Sequence, residues 1–160
     1  MEKSIRICYE EFEEISELTR NDQEMIEKAM EATQGSYSPY SGFKVGAAVR
    51  LDDGTIVKGS NQENIAYPSG LCAERTAMYA ASAQYPQKEL CELAIVGKNQ
   101  HGEWTAASPC GACRQVMTEY EQRSGKKMRI LTYLDGGKIR VFNGVESLLP
   151  FIFTTDLQKK

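Results

Sequence analysis

Two short segments carry residue types that do chemistry, Cys72-Ala73-Glu74-Arg75 and Pro109-Cys110-Gly111-Ala112-Cys113-Arg114-Gln115. Thiolates are soft donors suited to zinc, and a two-residue gap at the start of a helix lets Cys110 and Cys113 hold one ion at about 2.3 Å. Cys72 supplies a third sulfur. The one histidine, His101, sits in an Asn99-Gln100-His101-Gly102 turn, a place where histidines are ordinarily just solvated. Only three protein ligands are therefore evident, and a vertex left for water marks catalytic rather than structural zinc. A solitary Cys-x-x-Cys also suits structural zinc knuckles and redox pairs. The upstream Cys-Ala-Glu-Arg and the proline directly before the pair set this one apart.

Three thiolates overcompensate a divalent ion by about one charge, which opposes formation of hydroxide. The helix N-termini expected behind both segments point partial positive charge at the sulfurs, and Arg75 and Arg114 are placed to donate hydrogen bonds to them, Arg75 foremost. With that correction the pKa of a bound water can fall from about 15.7 towards about 7. Glu74, two residues from Cys72, is too close along one helical turn to ligate the same ion easily. It is well placed to reach the ion's water, as a proton shuttle.

The elements that must position these residues follow from periodicity and turn chemistry. Ile5, Ile7 and Tyr9 alternate as a short strand would, and Glu10, Glu11, Glu13, Glu14 and Glu17 read as a solvated acidic face. Asn21 and Glu24 fit a capping box opening a helix to about Thr33, with Met25, Ile26, Ala29 and Met30 at helical spacing. Turn residues from Gly35 to Gly42 lead into an apolar strand, Phe43 to Arg50, and Asp53-Gly54 marks a hairpin returning along Thr55 to Ser60. A loop from Asn61 to Leu71 leads to a helix over about Cys72 to Gln84. Leu90 to Gly97 reads as a buried strand and Gly111 to Arg123 as a second helix after Ser108-Pro109. Met128 to Leu134 and Lys138 to Phe142 are joined by Asp135-Gly136-Gly137, too short for a parallel crossover, so that pair is antiparallel. A short helix near Val145 to Leu149 precedes Pro150-Phe151-Ile152-Phe153 and a polar tail ending Lys159-Lys160. One mixed sheet with helices on its faces is expected.

The 160 residues, 41% of them hydrophobic, support one compact domain with a core and not two. A formal net charge of -3 and the absence of any Lys/Arg run longer than two disfavour a nucleic acid polymer as partner. The start of the sequence lacks the apolar stretch of a signal peptide, and no apolar run approaches the roughly 20 residues that span a bilayer, so a cytoplasmic protein without a membrane partner is expected. Five cysteines, three of them in the two segments, suit a metal site in a reducing compartment better than a disulfide framework. Cys8 and Cys91 match neither segment and read as buried free thiols.

From about Met25 to Leu157 the chain resembles the cytidine deaminase family, specifically its small homotetrameric branch. The likeness rests on Tyr37-Ser38-Pro39-Tyr40-Ser41-Gly42-Phe43-Lys44-Val45-Gly46-Ala47-Ala48, on Asn61-Gln62-Glu63-Asn64, on Tyr67-Pro68-Ser69-Gly70-Leu71-Cys72-Ala73-Glu74-Arg75-Thr76-Ala77, and on Pro109 to Val116 and Leu148-Leu149-Pro150. Zinc deaminases of this kind direct hydroxide at the amino-bearing ring carbon while a non-ligand Glu moves protons. The resemblance implies a three-layer α/β/α fold, with one mixed five-stranded sheet, helices on both faces and the last two strands antiparallel. It implies one domain over 1–160, residues 1–20 being an extension longer than the family's. It implies one zinc per subunit on Cys72, Cys110 and Cys113, Glu74 as general acid/base, and hydrolysis of cytidine and 2′-deoxycytidine to the uridines in pyrimidine salvage.

The resemblance further implies sugar recognition by Asn61 and Glu63 and substrate contact by Ala73. An amide and a carboxylate on a loop suit hydroxyls, and a site built for hydroxyls rejects ligands lacking them. Phe43 resembles the family's base-stacking aromatic, although a Phe opening an apolar strand also suits core packing. Phe153 matches an aromatic that the family supplies from a neighbouring subunit of a homotetramer, and Phe151 is a rival for that job. Gln62 departs from the usual aliphatic residue between Asn61 and Glu63. Residues 91–107 are less family-like, and no function is carried onto them.

Three other readings compete. A deaminase of another cytosine-containing small molecule shares the metal chemistry, and Asn61 with Glu63 argue against it. A polynucleotide-editing deaminase is opposed by the acidic balance and by antiparallel final strands. A structural-zinc protein with a partner-binding surface needs a fourth ligand that the sequence does not offer, and would make Glu74 an ordinary first-turn acid.

Overall fold

The computed structural model describes residues 1–155; Leu157 and the Lys159-Lys160 tail lie outside the described residues. Its centre is a mixed sheet built from β1 (Glu10–Phe12), β2 (Lys44–Leu51), β3 (Ile56–Ser60), β4 (Leu90–Lys98), β5 (Trp104–Thr105), β6 (Arg129–Tyr133) and β7 (Ile139–Asn143). The strand order is β1-β7-β6-β4-β2-β3, with β5 paired to β4 off this path. β4 and β6 run parallel, with Glu92 opposite Arg129 and Ile95 opposite Thr132, and every other pairing among the described strands is antiparallel. The parallel pair needs a crossover. That crossover carries the helix α3 (Gly111–Ser124).

Helices cover both faces. On one, α1 (Arg20–Ala32) buries Met25, Ile26 and Ala29 against Ala48, Ala94, Val96 and Leu131. On the other, α2 (Ala73–Gln84) and α3 bury Ala77, Met78 and Met117 against Ala47, Val49, Leu93, Ile95 and Ile130. Consecutive residues such as Ala47 and Ala48 fall in opposite cores, as the period of two along a strand requires. The three-layer α/β/α arrangement and the antiparallel final pair are as expected.

The sheet has seven strands rather than five. One addition, β1, comes from the N-terminal extension, and the strand there lies at Glu10–Phe12 rather than at Ile5 to Tyr9. Phe12 packs on the α1-side core, while Glu11 pairs with Arg140 at 2.7 Å and Glu13 with Lys138 at 2.8 Å. All five glutamates of the acidic stretch are exposed, as expected of a solvated face, while these surface ion pairs tie it to β7 and Ile5 and Ile7 also stay exposed. The other addition, β5, lies in the segment given no role from sequence.

The cap of helix α1 lies two residues earlier than its sequence suggests, at Thr19 rather than Asn21: the Thr19 hydroxyl accepts from Asp22 N at 3.2 Å. The capping box does not form because Glu24 turns to Arg50 instead, at 3.1 Å. Cys91 is half-buried as a free thiol, but Cys8 is exposed, since the segment before β1 lies outside both cores.

Candidate active site

Cys72 and Cys110 occupy the cap positions of α2 and α3, where Ser, Thr, Asp or Asn is usual, and neither makes a side-chain cap hydrogen bond. Their sulfurs are left for another partner. Cys113, one turn into α3, is fully buried. The Cys72 and Cys110 sulfurs lie 3.8 Å apart and those of Cys110 and Cys113 3.6 Å apart, with all three within 4.8 Å of one another. Tetrahedral coordination with zinc–sulfur bonds of about 2.3 Å requires sulfur–sulfur edges of about 3.8 Å. The three residues therefore fit zinc in both donor chemistry and spacing.

The local electrostatics agree. Hydrogen bonding from Cys113, against the opposing effect of burial, holds the Cys72 thiol down at about 5, with help from Arg75 and Cys110. The same bond to Cys72, together with burial and the Glu74 charge, pushes Cys113 up. Three sulfurs at this spacing cannot all ionise by themselves; a coordinated cation resolves the conflict, because ligating thiols are deprotonated outright. Arg75 supplies the nearest positive charge. Its Nη2 donates to Cys72 Sγ at 3.6 Å, and its buried Nε has no hydrogen-bond partner among the described residues.

Arg114 behaves differently from expectation. Its Nε donates to Pro109 O at 2.9 Å and its Nη1 to Leu148 O at 2.8 Å, so it braces the turn before Cys110 and does not bond a thiolate through either. The residue after Cys113 on a helix is rotated by about 100° from it, which carries the guanidinium to the loop after β7.

Glu74, in the first turn of α2, is 4% exposed. Burial pushes its carboxyl up to about 7, the Cys72 charge adding to the shift and the Glu74 backbone N–H and Arg75 opposing it. A carboxyl with a pKa near ambient pH can both take and give a proton. It lines a cavity of about 820 Å³, together with Cys72, Ala73, Phe43, Asn61 and Glu63. That volume lies within the range of about 300–1,000 Å³ typical of small-molecule sites.

Asn61 and Glu63 line the same cavity from the loop after β3. Asn61 Oδ1 accepts from Val45 N at 2.8 Å and Ser36 Oγ at 2.6 Å, and its Nδ2 donates to Phe43 O at 2.8 Å. Glu63 Oε2 accepts from Tyr40 N at 2.9 Å and Ser41 N at 3.2 Å, and its Oε1 from the Ser41 hydroxyl. The Ser41 bond, against a small effect of burial, holds the Glu63 carboxyl below its ordinary value, with the two backbone N–H groups contributing. Phe43 lines the cavity and also packs over Gly97 of β4, so both roles open to it from sequence have a structural counterpart. Gln62 is exposed, and its Nε2 donates to Gly35 O at 2.9 Å and Ser60 Oγ at 3.2 Å.

Phe153 and Phe151 are not brought to this cavity; they are 85% and 83% exposed, and the Phe153 carbonyl accepts from Gln115 Nε2 at 2.7 Å. His101 is exposed in its turn, as expected. Ala106 and Ala107, in the segment given no role, line the cavity. Small apolar residues carry no chemical signature; only their closeness in sequence to Cys110 could have marked them.

A three-sulfur metal site at paired helix N-termini, with a buried carboxyl beside it and a small-molecule cavity in front, defines a zinc-binding deaminase-type centre in an α/β/α fold. A family model described as "Cytidine and deoxycytidylate deaminase zinc-binding region" matches residues 19–126. A cytidine deaminase of Halalkalibacterium halodurans is 38% identical over 136 residues, which are 84% of this chain and 95% of the relative. One of Sporosarcina psychrophila is 42% identical over 134 residues, 84% and 92% of the two chains. The crystal structure of cytidine deaminase from Burkholderia pseudomallei, 36% identical, superposes with a TM-score of 0.70 over 85% of this chain and all of that one. The chain belongs to the cytidine and deoxycytidylate deaminase family.

Proposed function

We propose that this protein hydrolyses cytidine and 2′-deoxycytidine to uridine and 2′-deoxyuridine with release of ammonia. The observation that carries the reading is Glu74: a carboxyl buried beside three convergent sulfurs, held near neutral pKa, and lining the cavity a nucleoside would fill. Cys72, Cys110 and Cys113 would hold zinc, which would supply a Lewis acid able to make water acidic enough to react near neutral pH.

The chain's own residues do the rest. Glu74 takes a proton from the attacking water and gives it to N3 of the base as the oxygen adds to C4. It then takes the second proton of that oxygen and delivers it to the exocyclic nitrogen, the C4–N4 bond breaks and ammonia leaves, with C4=O formed. Atoms and charge balance with one water consumed. Arg75 offsets the surplus charge of the thiolates, and Arg114 braces the turn that carries Cys110. Phe43 stacks on the base and Ala73 borders it. Asn61 and Glu63 bind the sugar: with Asn61 Oδ1 already accepting two bonds, its amide faces a sugar hydroxyl as a donor, and Glu63 as an acceptor.

The wider setting belongs to the same reading. Residues 1–160 form one domain, and the protein works as a homotetramer in which Phe153 of one subunit completes a neighbour's cavity. Its exposure on the isolated chain supports that placement. No helix among the described residues is long and apolar enough to cross a membrane, and we place the activity in cytoplasmic nucleoside salvage. Loss of cytidine ultraviolet absorbance on incubation with zinc-loaded protein tests the reading; a correctly folded, zinc-loaded protein that leaves the absorbance unchanged overturns it.

A further inference from the structure

The sugar end of the cavity is held by contacts that the reaction itself does not require. Glu63 sits on the irregular loop between β3 and α2 and is only half-buried, so packing alone does little to restrain its carboxylate. Left alone, such a side chain loses rotamer freedom when it is ordered around a ligand. Here it is ordered beforehand. Two backbone N–H groups hold Oε2, and one hydroxyl, Ser41 Oγ, holds Oε1. A carboxylate gripped on one oxygen alone can still rotate about that oxygen; a bond to the second oxygen fixes its plane.

The Ser41 hydroxyl has a second connection. It has one hydrogen, which goes to Glu63, and it accepts from Phe43 N at 3.0 Å. The turn that brings these groups together closes with Gly42 N donating to Ser38 O at 3.0 Å, and Gly42 adopts a φ of 66°, a left-handed conformation suited to glycine. Phe43 is thereby tied to the sugar end twice, its N–H through Ser41 to Glu63 and its C=O directly to Asn61 Nδ2. Base stacking and sugar recognition are thus set by one rigid unit.

We propose that Ser41 is a positioning residue for substrate binding, fixing the plane of the Glu63 carboxylate and coupling it to the residue that faces the base. The inference rests on the sugar-binding reading of Glu63 given above. Ser41 reaches neither the sulfurs nor Glu74 through any hydrogen bond in the described residues, so its removal acts on binding rather than on proton transfer.

The test is a comparison of zinc-loaded wild type, Ser41→Ala, Ser41→Thr, Glu63→Gln and the Ser41→Ala/Glu63→Gln double variant. Kinetics with cytidine and with 2′,3′-dideoxycytidine are measured, and uridine affinity is taken from calorimetry. The Ser41–Glu63 bond is open to solvent and so screened, and Ser41→Ala should raise the cytidine KM and the uridine Kd severalfold while kcat changes by less than about twofold. Ser41→Thr, which keeps the hydroxyl, should restore both. With Glu63 placed on the ring hydroxyl that cytidine and 2′-deoxycytidine share, the Ser41→Ala effect should largely vanish in the Glu63→Gln background, which lacks the carboxylate, and with the dideoxy substrate, which lacks that hydroxyl. An unchanged KM in Ser41→Ala alongside a raised KM in Glu63→Gln overturns the inference alone. So does an equal Ser41→Ala effect on both substrates, which marks a general structural role. If Glu63→Gln leaves cytidine kinetics unchanged, the sugar-binding reading fails first and the role of Ser41 falls with it.

Discussion

Gly59 on β3 lies directly under the backbone of Ala77 on α2: a Cβ at position 59 would stand 2.4 Å from Ala77 N and 2.8 Å from Ala73 O. The absence of a side chain there lets the helix that presents Cys72 and Glu74 settle on the sheet. Backbone cannot yield to such a contact as a flexible side chain can, so Gly59→Ala must lift α2 or bend β3. Overpacking of this kind costs about 1–3 kcal/mol. Denaturation of zinc-loaded protein should show a lower midpoint for Gly59→Ala, with weaker zinc retention as the α2 end shifts. A variant with wild-type midpoint and metal content would show that the close approach is not a constraint.

A buried ionic cluster joins α1 to the sheet on the opposite face. Arg129 bonds Asp22, a partner 107 residues away, and also Glu92 at 3.3 Å, while Arg50 bonds Glu92 at 3.2 Å and Glu24 at 3.1 Å. Burial raises Asp22, but its bonds to Arg129, Glu92 and Thr19 together with the Arg129 charge outweigh burial and hold it below its ordinary value. Burial, and then the neighbouring Asp22, push Glu92 up to about 7. In the unfolded chain Glu92 titrates near 4.5, so between those values the folded state holds a proton that the unfolded state has released. The contribution of Glu92 to stability is therefore fully present below about 4.5 and lost as pH rises through about 7. The stability difference between wild type and Glu92→Gln, taken by denaturation across pH 4.5 to 8, should shift in favour of the variant as pH rises. A difference independent of pH would contradict the raised Glu92.

Arg75 should influence reactivity more than metal capture. Three thiolates with one divalent ion leave about one negative charge, and Arg75 is the cation in contact with Cys72. Arg75→Gln should retain zinc by elemental analysis, lower kcat about tenfold or more, and move the rising limb of the pH–rate profile to higher pH, since uncompensated charge makes the attacking water less acidic. An unshifted profile with reduced kcat would point to a packing defect instead.

The metal site was legible because it is written in residue type and short spacing: Cys110 and Cys113 share one helical turn, and Cys72 caps the other helix. The central strands and α2 were legible from apolar runs bounded by turn residues. What escaped depended on distant partners. Thr19 rather than Asn21 caps α1 because Glu24 is drawn to Arg50, from which 26 residues separate it. Strand β1 falls later than its apolar alternation suggests because Glu11 and Glu13 find cations on and beside β7. The hold of Ser41 on Glu63 spans 22 residues and depends on a left-handed glycine between Ser41 and Phe43. No local pattern distinguishes that serine from an ordinary turn residue.

The central claim is that Glu74 moves protons beside a zinc held by Cys72, Cys110 and Cys113, and Glu74→Gln tests it most directly when cytidine turnover and zinc content are measured on the same preparation. General acid–base catalysis contributes about 10²–10⁴-fold. Turnover should fall by at least about a hundredfold with one zinc retained per subunit. Turnover near the wild-type value in the zinc-loaded variant would contradict the claim.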